Sequence, residues 1–154
     1  MTRKNLMLVA AAGSLALLLG AFAFQAMGYA PCKLCLWQRW PHAAAIATGG
    51  LVLLIGPLAL LGVAGALSAL TTTGIGFYHT GVERGWWEGP TSCTGDGGGL
   101  AGLSGSDLLS TAAPNDIVMC DEVAWAFAGL SMASWNAIIS LALALIWVRA
   151  LRTR

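Results

Sequence analysis

Residues 43–78, AAAIATGGLVLLIGPLALLGVAGALSALTTTGIGFY, run for 36 positions without a charged side chain. As one helix this stretch would reach about 54 Å, nearly twice the ~30 Å hydrocarbon core of a bilayer. It must therefore fold back once. The available breakers are Gly56-Pro57 and Gly62 to Gly65, because proline removes a helical hydrogen bond and clashes with the preceding turn. The reading is two membrane spans, about 42–60 and 63–80, joined by a tight uncharged turn.

The flanking sequence extends this pattern. Leu6 to Met27 is another apolar run. It is longer than the 7–15 apolar residues of a signal peptide, so it reads as a span of about 6–27. The run Trp125 to Val148 supplies a fourth, about 131–148. Hydrophobic residues make up 57% of the 154 positions and charged residues 10%, against about 25% charged in soluble domains. A soluble domain this small would have no place to hide so much apolar surface. Disorder is excluded by the same composition, and a net charge of +1 with no basic stretch gives nucleic acid no electrostatic footing. The expected fold class is an all-α membrane protein: a four-transmembrane-helix bundle, residues 1–154 forming one integral membrane domain.

Charge sets the expected sidedness. Arg3 and Lys4 precede the first span, and Arg149, Arg152 and Arg154 follow the last; Lys33, Arg39 and Arg84 lie at the opposite face. Excess basic residues mark the cytoplasmic side, so both termini are expected there. Two periplasmic loops remain, about 28–41 and 81–130, the second holding all seven acidic residues. Trp37, Trp40, Trp86, Trp87, Trp125 and Trp135 cluster near the outer interface and Trp147 near the inner one, as expected of aromatic belts. The localisation implied is a bacterial inner membrane.

All four cysteines fall in those outer loops: Cys32 and Cys35 in the first, Cys93 and Cys120 in the second. An even number in an oxidising compartment suggests disulfides. Yet a bridge within Cys32-Lys33-Leu34-Cys35 closes too small a ring to staple much, since the entropic gain grows with loop length. Such pairs are more often redox-active or metal-binding. Structural bridges and a zinc site completed by Cys93 and Cys120 are the alternatives, the second lacking another close-spaced pair. Pro31 suits the first position of a helix, which would put Cys32 and Cys35 in a first turn whose amides favour a thiolate. Arg39, four residues after Cys35, shares its helical face and would hold a thiolate or an anionic partner; otherwise it is a snorkelling interfacial arginine. Cys93 lies in PTSCTGD ahead of Gly97 to Gly99, a permissive backbone suited to attack by another protein's thiolate.

At these residues the chain resembles a known family. The string PCKLCLWQRWPH, the TSC around Cys93 and the run CDEVAWAFAGLSMASWN are similar to the disulfide bond formation protein B family (DsbB), over nearly the whole length from Leu6 to Val148. The resemblance implies a thiol-disulfide oxidoreductase. Its partner would be a periplasmic thioredoxin-like dithiol oxidase of the DsbA type. Its electron acceptor would be a membrane quinone, ubiquinone or menaquinone. By the same resemblance Cys93 and Cys120 form the partner-facing disulfide, with Cys93 attacked first. Cys32 and Cys35 form the quinone-facing pair, with Cys35 nearest the ring and Arg39 beside it. Cys32 and Cys120 exchange between the loops. The turn between spans two and three lacks a basic residue, and the glycine run after Cys93 departs from the family pattern.

The two histidines complete the inventory. His42 opens span two and reads as interfacial; His79 closes span three and is a candidate donor to a quinone oxygen. Two histidines at one depth on neighbouring helices also suit haem ligation, which makes a small b-type electron carrier one alternative, though it leaves four cysteines unexplained. A non-catalytic, disulfide-stapled membrane subunit is another. The sidedness is testable apart from any chemistry: a reporter active only in the periplasm, fused after Arg154, is expected to be silent. Activity there would place the cysteines in a reducing compartment.

Overall fold

The computed structural model describes residues 1–90 and 119–153. Cys93, the glycine run behind it and the rest of 91–118 lie outside the described residues. Among the described residues four helices carry the fold: α1 (Arg3–Ala26), α2 (Lys33–Ile55), α3 (Ala59–Glu83) and α4 (Met132–Arg152). Short connections make α1, α2 and α3 alternate in direction. Each helix packs on its two neighbours in the ring α1–α2–α3–α4, and the α3–α4 contact is the most extensive. By length and apolar composition α1, α3 and α4 are each able to cross a membrane. Among the described residues, α2 has the length but carries Gln38, Arg39 and His42 in its N-terminal half.

Each boundary has a local cause. Thr2 caps α1, its hydroxyl accepting from the Asn5 N–H at 3.3 Å. α2 starts at Lys33, nine residues before the expected span, because Cys32 is its N-cap: the Cys32 sulfur accepts from the Cys35 N–H at 3.3 Å. Pro31 therefore precedes the cap and does not occupy the first helical position, and Cys35 sits at the third. The fold-back falls at Gly56 to Leu58, several residues earlier than the sequence suggests. Gly56 adopts φ 90, a left-handed conformation open to glycine at little cost, and Pro57 cannot continue α2. Gly62 and Gly65, the other candidate breakers, lie inside α3.

Ahead of α4 the chain makes a two-residue hairpin, β1 (Ala126–Phe127) against β2 (Leu130–Ser131). Ala128 and Gly129 at its turn have φ of 52 and 77, the paired positive values that suit the twist of a tight hairpin. Ser131 then caps α4 through the Ser134 N–H at 3.2 Å.

The radial pattern is that of a bundle in lipid. Leu54 and Leu60 are 80% and 76% exposed, while Thr72 and Ser140 are at 0%; apolar side chains face outward and short polar ones inward. Small residues let the backbones approach. The fully buried Trp147 indole of α4 lies directly against Gly65 of α3, where any Cβ would meet the ring. Gly76 is likewise closed by Ala133 and Ala137. Overpacking a close contact of this kind costs about 1–3 kcal/mol. Gly65→Leu is therefore expected to lower the thermal midpoint in detergent by several degrees, whereas Gly74→Leu, with open space around it, should not. Equal midpoints for both variants would contradict this packing.

Candidate functional site

At the end of the bundle where α2 begins, Cys32, Leu34, Val82 and Cys120 form a buried cluster, with Cys35 and Tyr78 packed against it. Cys32 and Cys35 are in the thiol form, their sulfurs 2.9 Å apart. Cys120, from the loop before α4, is fully buried in the same cluster. Three of the four candidate cysteines are thus gathered, and Cys93 lies outside the described residues.

His79 enters from α3. Its Nε2 is 3.5 Å from the Cys32 sulfur and 3.9 Å from the Glu83 carboxylate one turn on. The proton on this ring is assigned by Gln38. The Gln38 amide group donates to the Leu34 carbonyl at 3.3 Å and to His79 Nδ1 at 3.0 Å, while its oxygen accepts from Asn136 at 2.6 Å. Nδ1 is therefore an acceptor, and the neutral ring carries its proton on Nε2, facing the sulfur. Cys32, Cys35 and His79 place three possible ligand atoms within 4.8 Å of one another, a donor set of the kind that holds soft metals. With Nε2 protonated, however, the histidine donates to sulfur and does not ligate.

The pair is electrostatically asymmetric at the helix start, outside the expected span. Cys35 is held below the ordinary thiol value, first by the hydrogen bond from the Cys32 S–H, while burial works the other way. Cys32 keeps the shared proton: that bond and burial push it up to about 12, with His79 opposing. Of the two sulfurs, this arrangement favours Cys35 as the nucleophilic or electron-donating thiolate.

Cys35 borders a cavity of about 210 Å³ lined mainly by apolar side chains, among them Leu17, Leu18, Ala21 and Phe24 of α1, with Trp125 at its edge. Arg39, Gln38, His42, His79, Glu83 and Asn136 supply its polar side chains in the helical bundle. Arg39 is tied to α1: Nη1 donates to Gln25 at 2.8 Å and the guanidinium lies 4.7 Å from the Phe22 ring centre. Its Nε is buried with no partner among the described residues.

His42 corrects the sequence reading. It is 4% exposed and faces the bundle, with Nε2 2.9 Å from the Asn136 oxygen and 3.2 Å from the Thr72 hydroxyl. Three of the four histidine nitrogens are thereby engaged by side chains, which weakens the case for paired haem ligation. Sequence reasoning also passed over Gln38, Thr72, Glu83 and Asn136. Their signal was polarity inside or beside an apolar span, a costly placement that usually marks function. Glu83, counted only as one outer acid, is buried and accepts a hydrogen bond from the Ser131 hydroxyl.

The asymmetry of the thiol pair has a measurable consequence. A depressed thiol retains its thiolate as pH falls until pH passes below the folded value. In the reduced protein, alkylation of Cys35, followed by peptide mass spectrometry, is expected to show a pH midpoint below the ~8.5 of a free thiol. Cys32→Ala should raise that midpoint. A midpoint unmoved by Cys32→Ala would contradict the assigned hydrogen bond.

Comparison with known proteins bears on the same residues. The family model for disulfide bond formation protein DsbB matches residues 3–150. No curated protein and no solved structure matches the chain at a significant level. The match spans all four helices and both cysteine-bearing segments, and with it the chain belongs to the disulfide bond formation protein DsbB family, as a multi-pass membrane oxidoreductase of disulfide formation.

Proposed function

We propose that this protein reoxidises a periplasmic thioredoxin-like dithiol oxidase and passes the electrons to a membrane quinone, with four spans, both termini in the cytoplasm and the cysteine loops outside. The observation that carries the reading is the position of the Cys32–Cys35 pair. Cys120 packs against it on one side, and the apolar cavity opens beside Cys35 on the other. A dithiol placed between a second cysteine and a membrane-depth pocket is suited to relay electrons from one to the other.

In the proposed relay a thiolate of the partner attacks Cys93 in a Cys93–Cys120 disulfide, and Cys120 leaves as a thiolate. The partner's second thiol then displaces Cys93 and completes the partner's disulfide. Cys120 attacks Cys32 of an oxidised Cys32–Cys35 pair, forming Cys32–Cys120 and releasing the Cys35 thiolate. Each step exchanges one S–S bond for another. The Cys93 thiolate then restores Cys93–Cys120 by attack on Cys120, leaving Cys32 and Cys35 reduced. A quinone bound beside Cys35 supplies a two-electron, two-proton acceptor, so that dithiol and quinone become disulfide and hydroquinone. The donor set fits such a ring: a mainly apolar wall with Arg39, His79 and His42 at its polar side, the usual makeup of a small-molecule pocket. His79 Nε2–H, facing Cys32, stabilises negative charge on that sulfur during exchange. Arg39 places a fixed cation where charge develops, held by Gln25 and Phe22.

The two halves of the relay separate by mutation. Cys93→Ser is expected to abolish oxidation of a protein dithiol yet let a small dithiol reduce quinone through Cys32 and Cys35; wild-type protein oxidation in that variant would sink the two-pair scheme. Arg39→Ala removes a charge-assisted contact of ~1.5–3 kcal/mol, so quinone-dependent kcat/KM should fall about tenfold to a hundredfold, with Lys restoring only part because it lacks the planar fork. Kinetics normalised to folded protein decide this; unchanged quinone kinetics in Arg39→Ala would leave Arg39 as an interfacial anchor.

A further inference from the structure

His42 stands two helical turns beyond Cys35 on α2, on the stripe that also carries Arg39, and its ring borders the same cavity. One edge of the ring is fully committed. Asn136 is oriented by its amide nitrogen, which donates to Gln38 at 2.6 Å and to Thr72 at 3.2 Å. Its oxygen is thereby turned toward His42 Nε2 at 2.9 Å, and the Ser140 hydroxyl lies 3.5 Å from that oxygen. An amide oxygen accepts only, so His42 Nε2 carries the proton of the neutral ring. Nδ1, on the other edge, is then a bare lone pair. It is buried and has no partner among the described residues. An acceptor left unmade in an apolar interior is destabilising, and the ring that carries it lines the cavity.

A quinone offers two carbonyl acceptors and no donor; its two-electron, two-proton product offers two O–H donors. A lone pair held against an acceptor gains nothing, whereas the same lone pair met by a hydroxyl forms a hydrogen bond. We infer that His42 Nδ1 accepts a hydrogen bond from a hydroxyl of the reduced quinone, so that the site discriminates in favour of the reduced ring. This rests on the quinone reading above. His42 acts as a positioning residue that biases the bound couple toward reduction and so draws electrons away from Cys35. The step keeps its balance: two electrons and two protons leave the dithiol, one S–S bond forms, and His42 ends as it began. The orientation of Nδ1 descends from Gln38, which fixes Asn136 at one end and the His79 proton at the other.

The test is binding, not turnover. Full-length oxidised protein in detergent, under argon, is titrated with a short-chain benzoquinone and, separately, with its quinol. His42→Phe keeps a ring of similar shape and deletes the Nδ1 lone pair together with the donor to Asn136, whose oxygen still lies within 3.5 Å of the Ser140 hydroxyl. It should weaken quinol binding about tenfold, equivalent to ~30 mV for a two-electron couple, while changing quinone binding less than twofold. Equal losses for both ligands, or none for quinol, would overturn the inference and leave His42 a structural residue. Wild-type protein that binds neither ligand would overturn the quinone reading itself, and this inference with it. The wild type gives an independent readout where the variant folds poorly. With ¹⁵N-histidine labelling, the unpaired Nδ1 resonance should move on adding quinol and stay in place on adding quinone. A resonance unmoved by saturating quinol would refute the assignment.

Discussion

A polar side chain buried between packed helices has little water to turn to, so it must find its partners on neighbouring helices. The site depends on how that constraint is met by Gln38. Its amide reaches Leu34 on its own helix, His79 on α3 and Asn136 on α4, spending donors and acceptor at once. Two consequences follow from one orientation. His79 turns a protonated nitrogen to Cys32, and Asn136 turns an oxygen to His42. The thiol end of the site and the far wall of the cavity are thereby set by the same side chain. Flipping that amide would set its oxygen against the Leu34 carbonyl, an acceptor of fixed polarity, so the backbone of α2 selects this orientation.

The remaining walls serve the same end. α1 contributes no polar atom to the network, but Gln25 and Phe22 hold Arg39 from one side and Leu17, Leu18 and Ala21 give the cavity its apolar face. Trp125 packs on Phe24 of α1 at 5.1 Å between ring centres, and Phe127 stacks on Trp125. The hairpin before α4 therefore closes one edge of the cavity while delivering Ser131 to cap the helix and to meet Glu83. Fold and site are joined at that short turn.

The fold was legible where composition alone decides. A charge-free stretch from 43 to 78 has to reverse, and Gly56-Pro57 offered the place, although the sequence could not choose between it and the glycines at 62 and 65. What chose was packing: Gly65 is occupied by Trp147, and Gly62 by Leu151 and Met7, contacts with distant residues that no local pattern reveals. The sequence pointed to a helix start at Pro31; the start at Lys33 was not legible because a cysteine sulfur is an unusual cap. The cysteines announced themselves by spacing, and the order proposed for them comes from the family resemblance. His42 was misread for the opposite reason: a histidine at the head of a span looks interfacial, and its burial depends on Asn136, 94 residues away. Gln38 stood inside the recognisable string without a property of its own until Asn136 and His79 were placed beside it.

The central claim is that electrons leave a protein dithiol and arrive at a quinone through this one chain. It is tested most directly by mixing the purified protein, in catalytic amount and without oxygen, with a reduced thioredoxin-like dithiol oxidase and a soluble quinone. Loss of thiols and loss of quinone absorbance are followed together. The account predicts that both proceed only when the protein is present, with one quinone consumed for each dithiol oxidised. Thiol oxidation with no quinone consumed, or quinone left unreduced by the full mixture, would contradict it.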